Sequence, residues 1–168
     1  MVNDRNWYAI YVKSRHEFVS CGELTRKGID TFLPSVRKMS QWKDRKKNIQ
    51  VALFPGYLFV RVVDNPEAYL AVLRTKGVVT FISLDKAGPT PVTSEEIFSL
   101  KTMIESGREL DIYPHLKEGA RIRVRKGPLT GAEGLLFKKD NHSIFVVNID
   151  ILGRSVGLKL CADDVEAD

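Results

Sequence analysis

The stretch LFPGYLFVRV, Leu53 to Val62, decides how the first half of this chain folds. Pro55-Gly56 breaks the backbone, and the residues after it alternate as a strand does, with successive side chains on opposite faces. Leu58, Val60 and Val62 form one apolar face, which is ordinary core. Tyr57, Phe59 and Arg61 form the other, where a half-buried strand normally carries polar residues. A strand with two apolar faces needs two covers.

Working outward, Trp7 to Val12 has the same character, with Trp7, Ala9 and Tyr11 set against Tyr8, Ile10 and Val12. Ser14-Arg15-His16-Glu17 fits a capping box, and Phe18, Cys21 and Leu24 follow at helical spacing up to Gly28. Thr31–Met39 and Asn48–Phe54 read as two strands around the polar tip QWKDRKKN. Asn65-Pro66 opens a second helix, with Asn as cap and Pro at its first position. Val78–Leu84 reads as a strand. Thr93-Ser94-Glu95-Glu96 starts a third helix whose apolar residues are Ile97, Leu100 and Ile104. Interleaved elements of this kind predict an α/β sandwich, with helices on a small, mainly antiparallel sheet, over residues 1–108.

Beyond Gly107 the pattern changes. Residues 109–116 have no clear period and read as a linker. From 117 to 168, short alternating runs such as ARIRVR and SIFVVNIDIL are separated by turns rich in glycine. They predict a small all-β barrel.

Charge is distributed unevenly. Residues 1–108 carry 17 Lys/Arg against 11 Asp/Glu, and residues 109–168 carry 9 against 10. A polyanion would be met by the first half. Lys43, Arg45, Lys46 and Lys47 gather at the hairpin tip beside Trp42, which could stack on a base. A solvated turn is the plain alternative. Lys13, Arg15 and His16 begin the first helix, and Arg74 and Lys76 end the second. If both ends lie on one side of the sheet, they make a patch suited to single-stranded nucleic acid.

No nucleotide loop, zinc-spaced Cys pair or His-Glu-x-x-His motif is present. Cys21 and Cys161 fit neither a disulfide framework nor a metal site, and both read as small, buried or half-buried residues. His16 and Cys21 lack the third, orienting group that a nucleophile pair needs. No catalytic residue, metal or cofactor is expected, and the sequence argues for a binding protein. The absence of a signal pattern and of a long apolar run predicts a cytoplasmic protein.

The order of WYAIYVKSRHE, LFPGYLFV, TKGVVTFI, PTPVTSEEI, LKEGARIRVRKGPLTGAEG and DILGRS resembles the NusG family of transcription elongation factors, from about Trp7 to Glu166. YVKSRHE and QWKDRKK look more like its specialised RfaH, UpxY and LoaP-like antiterminators than like the housekeeping factor. The resemblance implies a bacterial, monomeric factor whose N-terminal domain binds the clamp helices of the largest RNA polymerase subunit. The matching positions are Tyr11, Tyr57 and Phe59, with Phe81, Leu84, Ile97 and Leu100 at the rim. It implies contact with non-template single-stranded DNA or nascent RNA from Lys13, Ser14, His16, Thr75 and Lys76. Ser14 is neutral where RfaH has a basic residue. Ala68, Tyr69 and Leu70 stand where RfaH carries a His-Thr-Thr triplet that touches the polymerase gate loop. The KOW barrel of the family meets a small-subunit ribosomal protein, and Rho in housekeeping members, through a Phe-Gly-Arg turn. Here that turn is Leu152-Gly153-Arg154 and a second aromatic position is Ala132, which disfavours Rho. The alternatives are a housekeeping factor acting with Rho and a ribosomal-type RNA-binding protein built on the barrel.

Overall fold

A computed structural model describes residues 4–42, 45–116 and 119–160, apart from the side chains of 40–42, 45 and 47. The chain forms two compact units, Met1–Pro91 and Val92–Asp168.

In the first unit, β1 (Arg5–Val12) and β5 (Tyr57–Val63) pair antiparallel at the centre of a sheet. β2 (Asp30–Phe32) borders β5, and β6 (Val78–Phe81) borders β1. Helices α1 (Glu17–Arg26) and α2 (Pro66–Leu73) cover one face. Tyr8, Ile10, Val12, Leu58, Val60 and Val62 pack there against Leu24 of α1 and Val72 of α2. The alternation of the opening stretch is thus realised on its core side, because a slip of one residue would expose the whole set.

The helix starts differ in how they are closed. Asn65 Oδ1 accepts the Ala68 N–H at 2.8 Å, and Pro66 takes the first helical position. Such a cap contributes about 1 kcal/mol. The expected capping box at Ser14 does not form. α1 begins at Glu17 after Arg15 turns left-handed (φ 64°), and His16, at the N-cap, makes no side-chain cap bond. Its Nδ1 donates instead to the Ser14 carbonyl at 2.9 Å.

The expected strand Thr31–Met39 is two strands. Pro34 lacks the N–H a ladder needs and separates β2 from β3 (Ser35–Trp42). β3 pairs with β4 (Arg45–Ala52), so most of the supposed polar tip is strand. The two-residue strand β7 (Pro91–Val92) stands at the division between the units.

The second unit holds α3 (Ser94–Glu105) and a five-stranded antiparallel sheet in the order β8-β12-β11-β10-β9. These strands are Asp111–Pro114 (β8), Ala120–Arg123 (β9), Glu133–Lys139 (β10), His142–Ile149 (β11) and Arg154–Lys159 (β12), with a 3-10 turn at Asp150–Leu152. Half of the expected linker is therefore strand β8. Gly157 of β12 makes this possible, because a Cβ there would stand 2.6 Å from the Tyr113 ring.

α3 packs on β10 and β11, which the sequence did not disclose. Ile97, Leu100 and Met103 are buried, and Ser99 Oγ accepts the Glu133 N–H at 2.9 Å. Thr93 caps the helix by accepting the Glu96 N–H, as expected. Among the described residues no helix is long and apolar enough to cross a membrane.

Candidate functional site

The second face of the β1–β5 pair is built by register. Tyr11 stands opposite Tyr57, Ala9 opposite Phe59 and Trp7 opposite Arg61. The Tyr11 and Tyr57 rings meet edge to face with centroids 5.5 Å apart. Gly56 allows this approach, since a Cβ on it would lie 3.0 Å from the Tyr11 ring. Phe59 stacks on Phe32 of β2, at 6.0 Å and 23°.

The expected set divides on burial. Tyr11 is 39% exposed and Tyr57 is half-buried, so both can be touched from outside, whereas Phe59 is fully buried. Phe81 leaves the set: it lies opposite Ile10 and packs with Tyr8 and Tyr69 on the helix-covered face. Leu84 is 67% exposed in the loop after β6, fixed by its N–H to Thr90 Oγ1. Ile97 and Leu100 are buried in the second unit. Sequence reasoning put Trp7 on the face of Tyr11 but left out Phe32, because the pairing of β2 with β5 that brings it in is not written in any local pattern.

At the end of this sheet the start of α1 and the end of α2 do meet. Lys13 donates its N–H to the Gly77 carbonyl at 2.8 Å, and Ser20 Oγ donates to the Lys76 carbonyl at 2.7 Å. Ser20 is fully buried, while Lys13, Arg15, Arg74 and Lys76 are exposed. Four cations are thus carried by one junction. Thr75 is not available for contact. It is buried, donates to the Ala71 carbonyl and accepts from Lys27 Nζ at 3.0 Å. Lys27, which also reaches the Ala71 carbonyl, is the residue that sequence reasoning missed here. A cation at the last carbonyls of α2 also complements the helix dipole.

Other expected contacts are placed elsewhere. Tyr69, in the triplet Ala68-Tyr69-Leu70, faces the core, and its hydroxyl bonds Asp64 and Tyr8. Burial, then the bond to Asp64, pushes its phenol above the usual tyrosine range. Lys46 is exposed on β4; the Arg45 and Trp42 side chains, Lys43 and Asp44 lie outside the described residues, as does Cys161. Cys21 is half-buried, and burial raises its thiol above the usual cysteine value. Ala132 is fully buried, so it offers no surface to a partner. Gly153 is left-handed at φ 61°, with Leu152 and Arg154 half-buried beside it. Among the described residues no cluster of three or more His, Cys, Asp or Glu could hold a metal.

The chain is similar to known proteins. A family model described as "Transcription termination factor nusG" matches residues 5–101. The transcription termination/antitermination proteins NusG of Staphylococcus aureus strains Mu50 and NCTC 8325 are each 27% identical over 180 aligned positions, covering 98% of this chain and 97% of theirs. A solved structure of Thermotoga maritima NusG, described as "Domain interaction in Thermotoga maritima NusG", superposes with a TM-score of 0.53 at 23% identity. The match covers 98% of this chain and 97% of that one, a likeness of fold.

Proposed function

The chain belongs to the NusG family of transcription termination factors, and from that premise we propose that it is a specialised elongation or antitermination factor of the cytoplasm. Its first 108 residues, of which the family model matches 5–101, act as the polymerase-binding module, with α3 packed in the second unit. The Tyr11–Tyr57 face docks on the clamp helices of the largest polymerase subunit, with Phe32 and Phe59 stacked behind it. The carrying observation is that pair of accessible aromatics on the sheet face opposite α1 and α2. Aromatic anchors at the centre of an interface supply a large share of its binding energy. By binding the closed clamp better than the open one, the factor disfavours pausing, since a ligand shifts an equilibrium only through differential affinity.

The junction carrying Lys13, Arg15, Arg74 and Lys76 contacts the displaced single strand. His16 adds a ring whose Nδ1 proton is committed to the Ser14 carbonyl, so neutral His16 presents Nε2 as an acceptor. The β-domain recruits a ribosomal protein, RNA or another factor through the turn at 152–154. Leu152 in place of an aromatic weakens any such contact with Rho.

Phosphate contact has a salt signature. Replacing Lys13 and Lys76 together with alanine is expected to lower affinity for single-stranded DNA and flatten its log–log salt dependence by about 1 to 1.5. Fluorescence anisotropy of a labelled oligonucleotide across a salt series reads both. An unchanged slope would remove this junction from the DNA interface.

A further inference from the structure

One part of the first unit has no place in the proposed function: the ribbon of β3 and β4. Among the described residues these strands pair only with each other. From Arg37 outward every described side chain is exposed, Lys38, Met39, Lys46, Asn48 and Gln50 among them. Packing therefore does not choose these residues. Residues 35–52 carry six Lys/Arg against one Asp, which equals the whole chain's net charge of +5, and the rest of the chain balances at 20 against 20. Among the described residues, none of Arg37, Lys38 and Lys46 forms an ion pair.

Register sorts the ribbon by chemistry. Directly opposed residues share a face, and so do residues two apart on one strand. Arg37 stands opposite Gln50, and Met39 opposite Asn48, in one row that continues by register to Gln41 and Lys46. Val36 opposite Val51 and Lys38 opposite Ile49 belong to the other row, which contains no Asn or Gln. Gln50 is steadied by a bond from its Nε2 to Ser35 Oγ at 3.1 Å. Lysines on an exposed edge also deter pairing with other chains, but that role does not gather Arg, Asn and Gln into one row.

Arg, Asn and Gln are the side chains whose paired hydrogen-bonding groups match the edges of guanine and adenine. The major groove of B-form DNA is about 12 Å wide and admits a two-stranded ribbon, whereas that of an A-form RNA helix is too narrow to be read. Residues two apart on a strand lie about 6.8 Å apart, the rise of two base pairs. We infer that the β3–β4 ribbon is a sequence reader for duplex DNA. The row of Arg37, Asn48 and Gln50 meets base edges in the major groove, Met39 offers apolar contact to a thymine methyl, and Lys38 on the other row meets a phosphate of the groove wall. The charge attracts any nucleic acid; the row selects the form and the sequence. This element is separate from the Lys13 junction assigned to the displaced strand, and its test reads neither that junction nor polymerase.

The test is selection by the full-length wild-type chain from a pool of DNA duplexes with a randomised 20-base-pair centre. A short motif is expected to emerge. Fluorescence anisotropy then compares the enriched duplex with a scrambled duplex and with an RNA duplex of the enriched sequence. Wild type should prefer the enriched DNA over the scrambled by about a hundredfold, roughly tenfold for each of two base contacts. Arg37→Ala/Asn48→Ala should bind the two DNA duplexes equally, with unchanged urea unfolding because both side chains are exposed. Lys38→Ala should keep the preference, weaken both duplexes alike and flatten the log–log salt dependence by about 0.9. No enriched motif, tighter binding of the RNA duplex, or a preference that survives in Arg37→Ala/Asn48→Ala would overturn the inference.

Discussion

Gly77→Ala is expected to destabilise the protein by about 3 kcal/mol and to abolish tight binding of single-stranded DNA. Gly77 has φ 87°, in the left-handed region, where a Cβ costs about 1 to 2 kcal/mol. The space is also taken. A Cβ would stand 2.3 Å from Ser20 Oγ and 2.9 Å from His16 Cβ, so Ser20 must move and lose its bond to the Lys76 carbonyl. That bond, with the one from Lys13 to the Gly77 carbonyl, holds the start of α1 beside the end of α2. Urea unfolding reads the stability loss and anisotropy the binding. Placed in a Ser20→Ala background, Gly77→Ala should cost less than it does alone, because one of its two clashes is gone. Equal costs in both backgrounds would assign the effect to backbone strain alone.

Gly134→Ala should unfold the β-domain more readily, by about 3 kcal/mol or more, and leave the first unit's sheet intact. Its backbone is not left-handed, and it sits within β10, so the turn role that its Gly-rich surroundings suggest does not apply. The obstacle is contact. A Cβ would lie 2.2 Å from the Val146 carbonyl oxygen and 3.0 Å from the buried Phe145 ring. An oxygen of the β11 backbone cannot swing aside as a surface side chain can, so the β10–β11 ladder itself must part. Thermal unfolding followed by exchange of β11 peptides would show the loss. A variant with the wild-type midpoint would mean that the strands separate at little cost.

What the sequence disclosed follows period and chemistry that act locally. The alternation in Leu53–Val62, the Asn65-Pro66 start and the Thr93 cap all appear as expected, because each is satisfied within a few residues. The junction of Lys13 with Lys76 was legible only as a condition. It is met through Ser20, a polar residue inside α1 whose buried partner lies 56 positions away. Three features were not legible at all. The stripe of Ile97 and Leu100 is the same whichever sheet it covers, so sequence could not say that α3 would lie on β10 and β11. Phe81 has the look of an exposed aromatic, yet the strand register places it opposite Ile10, on the core side. Ala132 is a surface position by the family pattern, and here it is fully buried.

The aromatic face of the opening strand bears the central claim. Tyr11 and Tyr57 are accessible and their edge-to-face pair contributes about 0.5 to 1.5 kcal/mol to the fold. Replacing both with alanine should therefore leave the protein folded. The decisive measurement is capture of RNA polymerase by immobilised wild-type chain and by the Tyr11→Ala/Tyr57→Ala variant, each shown by urea unfolding to be native. Loss of two anchors should weaken capture by about a hundredfold or more. Equal recovery of polymerase by the two proteins would contradict docking through this face.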